Sequence, residues 1–172
     1  IASVRAGNVI GGGDWAKDRI VPDCIRAIEE NKPIFIRNPK AVRPWQHVME
    51  PLSGYMLLAE KLYEDPTKYL GSWNFGPDDD SFTTVWEVAE SIIREYGSGI
   101  LKDCSFSNTL HEASLLFLDI SKAKHELGWK PKFNIEKTIK LTVDWYKRYR
   151  DNNVYNLCLD QIKEFIDKNN NL

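Results

Sequence analysis

Four small groups of residues in this 172-residue chain have the types and spacing to do chemistry. Asn8 closes an apolar stretch and is followed by Gly11, Gly12, Gly13, Asp14 and Trp15. Its amide offers both a donor and an acceptor, and glycines let a backbone take positive φ and come close to a ligand. The same residues also describe a strand followed by a flexible turn. Arg43 lies within Val42-Arg43-Pro44-Trp45-Gln46-His47-Val48. A guanidinium binds phosphate oxygens through two parallel, permanently charged hydrogen bonds, which a lysine does not reproduce. The alternative is a surface arginine beside a core tryptophan. His111 and Glu112 form a polar pair in a loop, open to a ligand role or to plain solvation. Asp78, Asp79 and Asp80 are consecutive, so they cannot all face one cation, and they read as a solvated loop.

Short strands alternating with amphipathic helices must position these groups. Val4–Ile10 is largely apolar and reads as one buried strand, which needs neighbours on both sides. Apolar residues at helical spacing predict helices over 19–29, 51–63, 84–96, 135–150 and 154–168. The helix over 84–96 opens with a capping box, Thr84 and Glu87, and stops at Gly97. The helix over 51–63 carries a stripe of Leu52, Tyr55, Met56, Ala59, Leu62 and Tyr63, expected to face the core. Short strands are expected at 34–36, 104–106 and 115–118, with an extended segment at 42–48 that Pro44 keeps out of a helix.

Composition bounds the function. A hydrophobic content of 42% can build one sizeable core, and a net charge of −2 provides no basic field for holding a nucleic acid. Any anion site is therefore local. Cys24, Cys104 and Cys158 are odd in number and lack metal-ligand spacing, which points to reduced thiols and no metal site. No apolar run is long enough to span a bilayer, and a soluble, cytoplasmic protein is expected. The chain opens on Ile1 with a strand almost at once, which reads as part of a longer or processed polypeptide.

Three stretches resemble extended short-chain dehydrogenases, the family of NAD-dependent nucleotide-sugar epimerases and dehydratases. Ala6-Gly7-Asn8 with Gly11-Gly12-Gly13-Asp14-Trp15 is similar to the segment that follows the catalytic Tyr-x-x-x-Lys, where a strand ends in an Asn that meets the nucleotide sugar. Arg43-Pro44-Trp45-Gln46-His47-Val48 resembles the Arg-x-Trp/Phe-x-x-Val element whose arginine grips the diphosphate. Asp119-Ile120-Ser121-Lys122-Ala123 with Leu127-Gly128-Trp129-Lys130-Pro131 resembles a scaffold signature of the superfamily, an Asp-initiated helix ended by glycine. Ser72-Trp73-Asn74-Phe75-Gly76-Pro77 is similar to the family's Tyr-Asn-x-Gly strand end.

The resemblance runs from Val4 to about Arg150 and implies an α/β fold: the C-terminal, substrate-binding part of a Rossmann-type extended short-chain dehydrogenase, retaining one strand of its parallel sheet. It implies that residues 1–10 end a dinucleotide-binding domain, 11–150 form a nucleotide-sugar-binding domain and 151–172 are a helical extension. The implied activity is that of a nucleotide-sugar 4,6-dehydratase with bound NAD, most similar to those acting on CDP-glucose. Alternatives are another epimerase or dehydratase, or a non-catalytic nucleotide-sugar-binding module. Ala6 and Gly7 would lie beside the nicotinamide. Asn8, Arg19 and Arg43 would converge on the diphosphate, Phe35 and Ile36 would wall the base, and Ile20, Arg37, His111 and Glu112 would complete the substrate site. The phosphate-cradling glycine-rich turn and the Tyr-x-x-x-Lys pair do not occur in these 172 residues, so the catalytic groups and most of the NAD site are expected in a missing N-terminal half. That half and, in the complete enzyme, further copies of the chain are the implied partners.

Overall fold

The opening apolar run divides at Gly7 in the computed structural model, which describes residues 1–78, 83–105 and 115–167. Strand β1 (Ala2–Ala6) pairs in parallel with β6 (Gly71–Phe75), whereas β2 (Asn8–Ile10) pairs in parallel with β5 (Trp45–His47). The expected single buried strand is thus two short ones, and Ser3, Val4 and Arg5 are exposed. The break has a steric cause. A Cβ on residue 7 would stand 2.6 Å from the Pro44 carbonyl oxygen, so only glycine lets the chain pass from one partner strand to the other.

Two further strand pairs form among the described residues. β3 (Ile34–Ile36) runs parallel to β8 (Leu101–Asp103), and β4 (Val42–Arg43) is antiparallel to β7 (Thr83–Thr84). The strand expected at 104–106 therefore lies three residues earlier, and Cys104 only extends the ladder by donating its N–H to Ile36 at 2.9 Å. At 115–118 a single parallel bridge, Leu115 to Val42, replaces the expected strand.

Among the described residues six helices pack on these strands: α1 (Ile20–Glu29), α2 (Met49–Glu64), α3 (Val85–Tyr96), α4 (Ser121–Leu127), α5 (Ile135–Arg148) and α6 (Val154–Asp167). The capping box at α3 forms as expected, Thr84 Oγ1 accepting from the Glu87 N–H at 3.2 Å and Glu87 Oε2 accepting from the Thr84 N–H at 2.8 Å. Gly97 and Gly128 close α3 and α4 in the left-handed conformation. Asn134 caps α5 by accepting from the Lys137 N–H at 2.9 Å. Among the described residues no helix is long and apolar enough to cross a membrane.

The main core joins α1, α3 and α5 through Ile25, Ile92, Ile139 and Val143, each essentially without exposure. Each contributes roughly 1.5–3 kcal/mol by leaving water. A second core lies between α2, β6 and α4, where Trp73, Phe75, Leu127 and Trp129 meet. Its geometry corrects the expectation for α2. The helix buries Pro51, Gly54 and Leu58, while Leu52, Met56, Ala59 and Tyr63 face outward. The missing side chain at Gly54 decides this, because a Cβ there would fall 2.2 Å from the Phe75 ring. On α6 likewise, Leu157 and Phe165 are buried, but Val154, Ile162 and Ile166 are exposed.

Cys24 is fully buried, and burial, reinforced by Asp23, pushes its thiol up to about 12. His47 and Glu50 are also buried, between β5, α2 and the start of α5. Glu50 Oε1 accepts from the backbone N–H groups of Lys132 and Phe133 at 3.0 and 2.8 Å, so the carboxylate ties α2 to the segment entering α5. Burial, with a smaller contribution from Lys137, lowers the His47 imidazole to about 4. Above its ordinary value near 6.5 His47 is neutral in folded and unfolded chains alike. Between pH 6.5 and 4 only the unfolded chain takes up the proton, so stability falls as pH falls. Urea denaturation across that window should show the wild-type chain losing up to about 3 kcal/mol more than His47→Gln; parallel pH profiles would show that His47 is not held neutral.

Candidate functional site

A cleft of about 710 Å³ opens where β1 hands over to β2. Its floor is Ala6, Gly7 and Asn8, one wall is the loop from Gly11 to Arg19 with the start of α1, and the other is Ala41 to Trp45. Leu116, Leu118 and Val85 add apolar surface. The floor is tightly fixed. Gly7 N–H donates to the Phe75 carbonyl at 3.3 Å, and Asn8 N–H donates to the Pro44 carbonyl at 3.0 Å.

Arg43 projects from β4 with 8% exposure, and its Nη1 donates to the Val42 carbonyl at 2.9 Å. Arg19 is the residue before α1, where its side chain is exposed and its Nε lies 3.9 Å from Asp14 Oδ2. Among the described residues, the cleft's charged lining is Lys17, Arg19 and Arg43 with Asp14 and Asp18. The cation at depth is Arg43, and both carboxylates lie nearer solvent. The N-terminal turn of α1, Ile20 to Pro22, also borders the cleft, bringing the positive end of that helix toward it. This arrangement suits an anion carried on a larger, partly apolar body. Among the described residues that line the cleft there is no His, Cys or Tyr, so the groups present bind and orient better than they move protons.

The glycine run serves packing as much as access. A Cβ on Gly12 would stand 2.0 Å from Cγ of Trp145 in α5, and Gly13 has a φ of +83°. The close approach is therefore to the protein's own indole. Trp15 sets its ring edge-on to Tyr146 at 5.2 Å, and the Tyr146 hydroxyl donates to the Asp14 carbonyl at 2.5 Å. Burial, reinforced by Asp14, pushes the Tyr146 phenol up to about 12, which keeps it a neutral donor. Arg26 of α1 donates to the carbonyls of Trp15 and Ala16 at 2.9 and 3.2 Å. Both helices thus hold the loop that forms one wall of the cleft.

Of the residues singled out from sequence, Ala6, Gly7, Asn8, Arg19, Ile20 and Arg43 line this one cleft. Phe35, Ile36 and Arg37 do not. Successive strand residues point to opposite faces, so Phe35 faces solvent with 60% exposure while Ile36 is buried in the core, and the two cannot form a common wall. Arg37 is exposed and pairs with Asp18 at 3.3 Å, so it reaches the cleft only through that carboxylate. His111 and Glu112 lie outside the described residues, as do Asp79 and Asp80, while Asp78 pairs with Lys124. Sequence reasoning missed Lys17, Leu116 and Leu118. Lys17 could have been found from its place between the glycine run and Arg19, but the two leucines carry no signal of their own.

Known proteins resemble this chain in sequence and in fold. The chain is 47% identical over 149 residues, 87% of its length, to CDP-glucose 4,6-dehydratase from Salmonella typhimurium. Its sequence is thus similar to those of the nucleotide-sugar epimerases and dehydratases. The chain spans 42% of the length of that relative, and 29% of the length of UDP-glucose 4-epimerase 3 from Oryza sativa, to which it is 29% identical over 113 residues. No protein-family model matches it. Among solved structures it resembles dTDP-glucose 4,6-dehydratase from Bacillus anthracis in complex with NAD, with a TM-score of 0.70 and 21% identity over 87% of this chain and 45% of that one. It also resembles UDP-glucuronic acid 4-epimerase from Bacillus cereus in complex with UDP-glucuronic acid and NAD, with a TM-score of 0.69 and 17% identity over 85% of this chain and 45% of that one. The α/β, Rossmann-type fold class expected from sequence is therefore the one found.

Gly12→Ala should cost roughly 1–3 kcal/mol of unfolding free energy, because the methyl must displace Trp145 from its stacked position on Tyr149. Urea denaturation followed by tryptophan fluorescence measures this, and an unchanged midpoint would show that the loop does not seat on α5.

Proposed function

We propose that this chain is the nucleotide-sugar-binding portion of a nucleotide-sugar 4,6-dehydratase that acts on CDP-glucose with bound NAD. The observation that carries the reading is the buried Arg43 at the depth of a cleft floored by Asn8, in a chain 47% identical to a CDP-glucose 4,6-dehydratase. Arg43 holds the diphosphate, aided by the positive end of α1 and by Arg19 once that side chain exchanges Asp14 for phosphate. Asn8 meets the nucleotide sugar from the floor, and Leu116 and Leu118 give it apolar contact. With the sugar held, C4 is oxidised, the resulting ketone acidifies the C5 proton, water is lost across C5 and C6, and the hydride taken from C4 returns to C6.

NAD supplies the hydride acceptor and donor for this sequence. Ala6 and Gly7 line the cleft and would meet the edge of such a cofactor. The glycine-rich pyrophosphate turn and the Tyr-x-x-x-Lys pair would come from an N-terminal half of the same enzyme, with residues 1–10 completing that half's sheet. On this reading the present residues bind and orient the substrate, and the acid–base groups meet it from the other half.

Replacing Arg43 by Ala in the complete enzyme should cost roughly 2–5 kcal/mol of CDP-glucose affinity, the range for one partner of a desolvated charged contact. Unchanged binding by calorimetry would remove Arg43 from the site. The reading as a whole is tested by incubating the 172-residue chain with NAD and CDP-glucose and following the 4-keto product, with and without the N-terminal half added as a separate polypeptide. Product is expected only with the added half. Turnover by the chain alone would show that the reaction is carried by other residues, and tight CDP-glucose binding with no product in either mixture would favour a non-catalytic binding module.

A further inference from the structure

Gln46 is buried on β5 with 2% exposure, and its Nε2 donates to the Phe75 carbonyl at 2.8 Å. That carbonyl also accepts the Gly7 N–H at 3.3 Å. β5 and β6 do not pair with each other, so the Gln46 amide spans from one parallel pair to the other at the point where the chain crosses between them. Its backbone stands opposite Val9, one residue beyond Asn8 in the same ladder. The side chain and the ladder together bracket Ala6, Gly7 and Asn8, the floor of the cleft.

The other end of this amide is unusual. Gln46 Oε1 is buried and has no hydrogen-bond partner among the described residues. A buried acceptor left in that state opposes folding, and an apolar side chain of the same length would avoid the cost while Phe75 kept its bond from Gly7. A residue present for packing alone would not be a glutamine. Local rules are broken in this way where a site needs the geometry.

We infer that Gln46 is a positioning residue: by clamping the Phe75 carbonyl it fixes the Gly7 crossing and so sets the angle at which Asn8 faces the cleft. The inference rests on the nucleotide-sugar reading of the cleft only where it predicts affinity. Its sign separates it from a structural role, because a fold-stabilising residue would lose stability and binding together, whereas Gln46 trades one for the other.

The test is Gln46→Met in the 172-residue chain, with Gln46→Leu as a second variant, read by thermal melting, by amide hydrogen exchange at Gly7 and Asn8, and by titration with CDP-glucose. Melting temperature should be unchanged or higher. Exchange at Gly7 and Asn8 should rise roughly tenfold, the loss of about one hydrogen bond of local protection, with the amides of α5 unaffected. CDP-glucose affinity should fall roughly ten- to a hundredfold, as expected for a misplaced binding group. Unchanged exchange at Gly7 and Asn8 would overturn the inference, and so would a lowered melting temperature with exchange raised evenly along the chain. If wild-type chain gives no response to CDP-glucose, the reading of the cleft fails instead, and the exchange measurement alone decides the role of Gln46.

Discussion

The Phe75 carbonyl accepts from both the Gly7 amide and the Gln46 side chain, and most of what surrounds the cleft depends on that shared acceptor. A chain that leaves one strand partner for another must satisfy the backbone groups released at the crossing. Here Gly7 still bonds back to β6 while Asn8 already bonds forward to Pro44, so the change of partner is completed within one residue. The fit leaves no room for a side chain at position 7, and the Pro44 carbonyl that forbids it is the one that accepts from Asn8. The steric limit and the hydrogen bond therefore select the same geometry, and the residues at the crossing are the floor of the cleft.

The mobile-looking part of the sequence is held in a different way. Three consecutive glycines would ordinarily make a loop of high conformational entropy. In this fold the loop is seated on an aromatic group from α5, where Trp145 and Tyr149 stack at 5.2 Å and Trp15 closes against Tyr146 and Tyr149. Glycine is what allows an indole to lie directly on the backbone at position 12. Because α5 is also the helix most deeply embedded in the main core, the wall of the cleft inherits the rigidity of that core.

How far the sequence revealed this varies with the physics of each element. Helices α1, α3 and α5 were legible because their buried residues recur at helical spacing and because Thr84, Glu87 and Gly97 mark ends by local hydrogen bonding. Asn8, Arg19, Ile20 and Arg43 were found as a set only through resemblance, since nothing in their spacing brings residues 8 and 43 together. The orientation of α2 was misread because its apolar residues cover most of its circumference, and the choice of face was made by a small residue, Gly54, that periodicity does not weigh. The pairing of Phe35 with Ile36 as one wall failed on the strand's period of two. Gln46 and Tyr146 were unreadable for a further reason, as each acts through a backbone carbonyl on an element distant in sequence.

The two arginines of the cleft have different electrostatic consequences. Arg43 has already lost most of its hydration in folding, and its guanidinium is held by the Val42 carbonyl, so an arriving anion meets a charge whose desolvation and ordering occurred in advance. Arg19 is exposed and faces Asp14 across 3.9 Å, so an anion must compete with both water and a carboxylate for it. A contact made under those conditions adds little to affinity, but it remains effective at longer range, where exposed charge guides encounter and is weakened by salt. Asp14 and Asp18 at the outer edge reduce that guidance for anions in general, whereas neither lies at the depth where Arg43 acts. Among the described residues, exposed charge of both signs thus lies at the mouth of the cleft and a pre-ordered guanidinium at its base, an order that suits ligands whose anionic group is carried on a body long enough to bring it past the acidic rim.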